Sequence, residues 1–314
     1  MHRYSSSFYV FPWCKVIFKT GLFHEITDNA IMTSSSSVLI TGTSSGIGLA
    51  TATEMKNRGW RVFASARKAE DLATLSESGF EAIEMDMADP VSIENGAKQV
   101  LKACENKLDA LVNNAGYGQP GALEDLAVDT MRYQFEVNVV GLQHLTNLVL
   151  PSMIQNGHGR IVHISSVVGR VAVPFLGIYS ASKFAVEALA DAQRVELTGT
   201  GVTLSLVEPG PITTRFTKNA VKSSDGHLEV EGSRFSKLYQ KELEMREEHS
   251  GPKSFALPPE AVAKKIAHAL THPSPRRRYK VTFPAHLGAF LSRFAPDALI
   301  DWVLSRELKK RNPS

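Results

Sequence analysis

The stretch VLITGTSSGIG, Val38 to Gly48, decides how the rest of the chain is read. VLITG (38–42) has the apolar, β-branched character of a strand buried on both faces, and a helix is expected over about 46–58. A strand that passes through a glycine-rich turn into a helix makes an anion site. The free N–H groups and the dipole of the helix N-terminus face outward, and the glycines let a phosphate approach the backbone. The turn holds Gly42, Ser44, Ser45, Gly46, Ile47 and Gly48, spaced GxxxGxG rather than GxGxxG.

Outward from this turn, short apolar runs alternate with longer amphipathic stretches. Strands are expected at 61–66, 79–86, 108–113, 160–165 and 201–209, and helices at about 90–106, 128–155 and 178–198. That rhythm predicts an α/β fold: one Rossmann-type, doubly wound parallel sheet with helices on both faces. After Pro211 it breaks. Polar residues 212–257, with a helix expected near 234–248, read as a lid over the substrate. A helix over 258–271 and a strand over 279–283 follow, and Leu287, Phe290, Leu291 and Phe294 then recur at helical spacing in an amphipathic tail. The expected organisation is a poorly ordered leader at 1–36, a catalytic domain at 37–283 and an extension at 284–314, with translation starting at Met1 or at Met32.

Composition narrows the function. The 314 residues carry 35 Lys plus Arg against 32 Asp plus Glu, and a net charge of +3 is too small to argue for nucleic-acid binding. Cys14 and Cys104 are too few for a disulfide framework, and no sequon is present, which agrees with a cytoplasmic protein. His268 and His272 stand four apart, but without a glutamate between them or a third ligand they do not make a metal motif. His163 reads as a packed strand residue, and Arg276, Arg277 and Arg278 as a solvated turn.

The end of the second strand bears on the cofactor. A carboxylate there would bond a ribose 2′-hydroxyl and select NAD; instead Arg67 and Lys68 offer cations suited to a 2′-phosphate, so NADP (NADPH) is expected over NAD. Asp86 closes the third strand, where it would accept from an adenine amino group. Asn113, Asn114, Ala115 and Gly116 end the fourth at the same sheet edge. Tyr179 and Lys183 share a helix face, and a nearby ammonium is expected to lower the phenol from its usual value of about 10. That would make Tyr179 a working acid or base.

Taken in order, TGTSSGIG (41–48), NNAG (113–116), Asn138 in VNVVG, Ser166, YSASK (179–183) and PGPITT (209–214) resemble the short-chain dehydrogenase/reductase family over about residues 37–215. The resemblance implies that Ser166 bonds the substrate oxygen, Tyr179 is the acid/base, and Lys183 lowers its pKa and holds the nicotinamide ribose. It implies that Asn138 anchors a relay water, and that Ile212 and Thr214, beyond Pro209 and Gly210, fix the carboxamide. Gly42, Ser44 and Ile47 would contact the cofactor, and Asn114 would lie near the adenosine-side ribose. The expected activity is hydride exchange between nicotinamide and an alcohol, ketone or aldehyde. The lid and tail resemble the branch that handles 17-beta-hydroxysteroids, retinol and similar lipophiles. Rival readings are a catalytically silent NADP-binding regulator or scaffold, and a sugar-nucleotide epimerase or dehydratase. Expected partners are a small-molecule substrate and further copies of the chain in a homodimer or homotetramer. Weak peripheral membrane contact through the tail is a further reading, beside its covering an apolar pocket or packing on the sheet edge.

Overall fold

The computed structural model describes residues 36–214, 232–239 and 255–311. Among these, seven strands make one parallel sheet: β1 (Ser37–Ile40), β2 (Arg61–Ala66), β3 (Glu81–Glu84), β4 (Ala110–Asn113), β5 (Gly159–Ile164), β6 (Val202–Pro209) and β7 (Arg278–Val281), ordered β3-β2-β1-β4-β5-β6-β7. The helices joining them are α1 (Gly46–Asn57), α2 (Ala69–Glu77), α3 (Pro90–Ala103), α4 (Val128–Phe135), α5 (Gly141–Gln155), α6 (Gly177–Glu196) and α7 (Pro259–Thr271), followed by α8 (Phe283–Phe294) and α9 (Asp297–Arg311).

Alternation along each strand divides the core. In β1, Leu39 points into one apolar cluster with α3, α5 and α6, while Val38 and Ile40 point into another with α1, α2 and α7. Parallel strands expose no face to water, which is why the strand runs read as apolar throughout. The chain order reverses between β1 and β4, and at such a switch point the loops after the strands open a crevice. β1 is in register with both neighbours there, Leu39 facing Phe63 on one side and Leu111 on the other.

Several local expectations are revised. Helix α2 was not anticipated, because only Leu72 and Leu75 mark its apolar side. The stretch expected as one helix from 128 to 155 contains a π turn at Glu136–Val140 between α4 and α5. Asp86 lies beyond the end of β3 in a turn, its Oδ1 accepting from the Ala88 N–H at 3.0 Å. The last strand stops at Val281, because Thr282 turns to φ 98° and its side chain caps α8. The leader lies outside the described residues, as do most of 212–257 and most of the helix expected near 234–248. No described helix is long and apolar enough to cross a membrane.

Candidate active site

The glycine-rich turn is built for close approach. Gly42 and Gly46 hold φ of +69° and +62°, and a Cβ on Gly48 would collide with the Gly42 carbonyl oxygen and the Asn114 amide. Asn114 Nδ2 donates to the Thr41 and Gly42 carbonyls at 2.8 and 3.0 Å, while Thr41 Oγ1 accepts from the Asn114 and Ala115 N–H groups at 3.0 and 2.9 Å. Asn114 therefore braces the turn. Ser45 precedes α1 in extended geometry and makes no side-chain cap, which leaves the first-turn N–H groups facing the crevice. A Cβ on Gly46 would lie 3.3 Å from Thr214 Cγ2, so the 209–214 segment closes over the same turn, and Ile212 bridges to Leu257. A cradle that a single methyl would fill, at a helix N-terminus and a sheet switch point, fits the pyrophosphate of a dinucleotide.

Arg67 and Lys68 follow β2 and are exposed. Arg67 Nη1 reaches the Tyr133 hydroxyl at 3.3 Å and Lys68 pairs with Glu70 at 3.3 Å. Exposed pairs of this kind are weak and exchange readily for a better anion.

The other group gathers beyond β5. Ser166 caps the turn Val167–Gly169, its Oγ accepting from the Val168 N–H at 3.3 Å. Tyr179 lies in the first turn of α6, with Lys183 Nζ 5.9 Å from its ring centroid. Lys183 donates to the Ile164 carbonyl at 2.8 Å. Asn138 sits in the π turn, its side chain bonding both backbone groups of Tyr117 and reaching Ser182 Oγ at 3.1 Å. Single π turns recur at functional sites because they rotate one side chain out of helical register. A Cβ on Gly116 would lie 3.0 Å from Asn138 Oδ1 and 3.7 Å from Lys183 Nζ, which joins this group to the β4 loop.

Burial dominates the titration of these groups. It pushes the Tyr179 phenol up to about 12, with the Ser166 hydroxyl pulling it back. Burial rather than the Lys183 charge decides the direction: that ammonium donates to the Ile164 carbonyl and stands 5.9 Å from the ring centroid. Burial also brings Lys183 down to about 8, against the upward pull of Glu187. His163, fully buried beside Asn113, is driven to about 3 by burial and then by the Lys183 charge. It is uncharged at neutral pH.

The structure adds residues that no motif marked. Tyr133 meets Arg67. Tyr239 donates to Asp125 Oδ2 at 2.7 Å and accepts from the Ala122 N–H at 2.8 Å, while Phe175, Phe235 and Tyr239 stack edge to face. Arg170, Glu187, Glu208 and Arg278 form a cluster of ion pairs one helical turn beyond Lys183. No spacing rule would have joined groups carried by separate elements.

A parallel sheet with a phosphate cradle at its switch point, and a Tyr and Lys one turn apart beside it, defines a nucleotide-dependent oxidoreductase. Residues 36–225 match the family model for short chain dehydrogenase. The uncharacterised oxidoreductase YbbO of Escherichia coli K12 is 40% identical over 269 residues, 85% of this chain and 93% of that protein. Human 17-beta-hydroxysteroid dehydrogenase type 1 is 34% identical over 78% of this chain and 77% of its own. A solved short chain dehydrogenase/reductase from Burkholderia phymatum, in complex with NAD, superposes with TM-score 0.70 at 28% identity, covering 91% of this chain and 98% of that one.

The chain belongs to the short-chain dehydrogenase family. It is an oxidoreductase that uses a nicotinamide dinucleotide to exchange hydride with a CH–OH or C=O carbon of a small organic substrate.

Proposed function

We propose that the protein reduces a lipophilic ketone or aldehyde with NADPH, Tyr179 acting as the proton donor. The observation that carries this is the placing of Tyr179: it is buried in the first turn of α6 with Lys183 one turn on, Nζ 5.9 Å from its ring, and it holds its proton at neutral pH, as a general acid must. The bound dinucleotide supplies hydride to the carbonyl carbon. As the C=O electron pair moves onto oxygen, Ser166 donates a hydrogen bond to it and Tyr179 releases its proton there. The phenolate left behind is stabilised by the Lys183 ammonium, and Asn138 holds the relay that returns a proton from solvent. Enclosure strengthens each of these interactions where charge develops.

The cofactor preference rests on Arg67 and Lys68, two cations at the place where NAD-selective sites keep a carboxylate. Gly42, Ser44, Ser45, Gly46, Ile47 and Gly48 would hold the pyrophosphate. Asp86, Asn114, Ala115 and Gly116 would line the adenosine side, with Pro209, Gly210, Ile212 and Thr214 beside the nicotinamide. The lipophilic substrate is supported by the aromatic cluster of Phe175, Phe235 and Tyr239, whose Phe175 lies just before α6, and by the likeness to a 17-beta-hydroxysteroid dehydrogenase. Exposed Val140, Ile154, Phe184 and Val195 support self-association, and the apolar outer surface of α8 and α9 supports weak lipid contact.

The test follows NADPH absorbance over a panel of ketones, aldehydes, retinal and steroids. Tyr179→Phe is expected to lose about 10²–10⁴-fold in kcat; full activity in that variant would overturn the mechanism. Arg67→Asp is expected to weaken NADPH at least tenfold more than NADH, and equal losses would overturn the cofactor assignment.

A further inference from the structure

Beneath Lys183, four charged side chains from four segments close into a ring. Glu187 is on α6, one turn beyond Lys183; Glu208 is in β6; Arg170 follows the turn that Ser166 caps; Arg278 opens β7. Arg170 Nη2 lies 3.3 Å from Glu187 and 3.0 Å from Glu208. Arg278 lies 3.2 Å from Glu187, 3.1 Å from Glu208 and 2.6 Å from Asp191. Glu208 is 1% exposed, and Glu187 is also buried. Such a ring is costly to bury and adds little net stability over apolar packing. Its position is the informative feature. The two glutamates bridge the same two arginines, yet only Glu187 stands at the i, i+4 position from Lys183, where side chains on a helix meet.

We propose that Glu187 is a positioning residue for the reaction, held by Arg170 and Arg278 so that its carboxylate keeps the Lys183 ammonium charged. This rests on the roles given above to Tyr179 and Lys183. The groups facing the pair are Tyr179 on the same helix, His163 on β5, which stays neutral, and the two arginines, Glu208 and Asp191 around Glu187. Burial pulls the Lys183 ammonium toward neutrality and Glu187 opposes it. Burial likewise pushes the Glu187 carboxyl up, against the Ser165 hydroxyl and both guanidiniums, while Glu208 adds to the rise.

The readout is the alkaline limb of carbonyl reduction, where activity falls as the Tyr179–Lys183 pair loses its first proton. Removing the Glu187 charge makes that loss easier from either member, so both effects have one sign. Glu187→Gln is expected to move the limb about one unit toward lower pH, as a unit charge one helical turn away would at an intermediate effective dielectric. Glu208→Gln removes a carboxylate from the same ring but off the Lys183 helix face, and is expected to move the limb by less than half as far as Glu187→Gln. An unmoved limb in Glu187→Gln, or equal movement in both variants, overturns the proposal. Should Glu187→Gln fold too poorly to assay, Glu187→Asp withdraws the charge by one methylene. It is expected to move the limb the same way by less, and a limb coincident with wild type overturns the proposal. An active Tyr179→Phe would refute the underlying mechanism; an inactive one with an unmoved Glu187→Gln limb refutes this inference alone.

Discussion

Helices α7 and α8 read alike in sequence and end in opposite surroundings. In α7, Val262, Ile266, Ala269 and Leu270 recur at helical spacing and are fully buried against the sheet. In α8, Leu287, Phe290 and Phe294 recur at the same spacing and face outward, Phe290 being 59% and Phe294 67% exposed. The side of α8 that packs is its small one: Ala285 and Gly288, the latter against Val167 and Val171 beside Ser166. Of the readings open for this stripe, packing on the sheet edge is the one its outward-facing Phe290 and Phe294 do not follow. An apolar period shows that a helix has a face, while the sheet's unfilled area decides which face is covered. By α8 that area is taken, since β7 and α7 already close the edge.

The comparison can be broken by measurement. Leu145 lies in α5 with no exposure, and Leu145→Ala is expected to cost about 2–5 kcal/mol in urea unfolding, through lost burial and the cavity left behind. A loss below 1 kcal/mol would mean that this face of the sheet is loosely packed. His163 sharpens the contrast from another side. Its folded value of about 3 lies below the ordinary 6.5, so between these values the unfolded chain binds a proton that the native core refuses. Stability should therefore fall as pH drops from 6.5 towards 3, by up to about 1.4 kcal/mol per unit from this group. Denaturation midpoints across that range should flatten in His163→Asn, and an unchanged slope would contradict the buried neutral imidazole. Smallest of all is the outer surface of α8. Phe290→Ala should change stability by no more than about 0.5 kcal/mol, and a loss comparable to that of Leu145→Ala would show that this face is covered in solution.

Much of the fold was legible because parallel strands buried on both sides advertise themselves as unbroken apolar runs. Helix α2 escaped notice because it is short and charged, and Leu75 alone is fully buried in it. Within the site, the glycine turn and the pairing of Tyr179 with Lys183 were legible because their spacing is local. Arg278 was read as part of a solvated turn, and Glu187 and Glu208 drew no notice. Charges far apart along the chain reveal their partnership only once β5, β6 and β7 are laid side by side. The Tyr179 phenol shows the same limit, since the neighbour that should lower it was visible and the burial that raises it was not.

That last strand has a consequence for how the protein is made. β6 ends at Pro209, and the neighbour that pairs with it, β7, begins only at Arg278. A chain leaving the ribosome has Ser166, Tyr179 and Lys183 in hand long before the arginine that helps hold Glu187 beneath them. Nascent enzyme can gather its cradle early, yet it must wait until Arg278 has emerged to finish the floor of its own reaction centre.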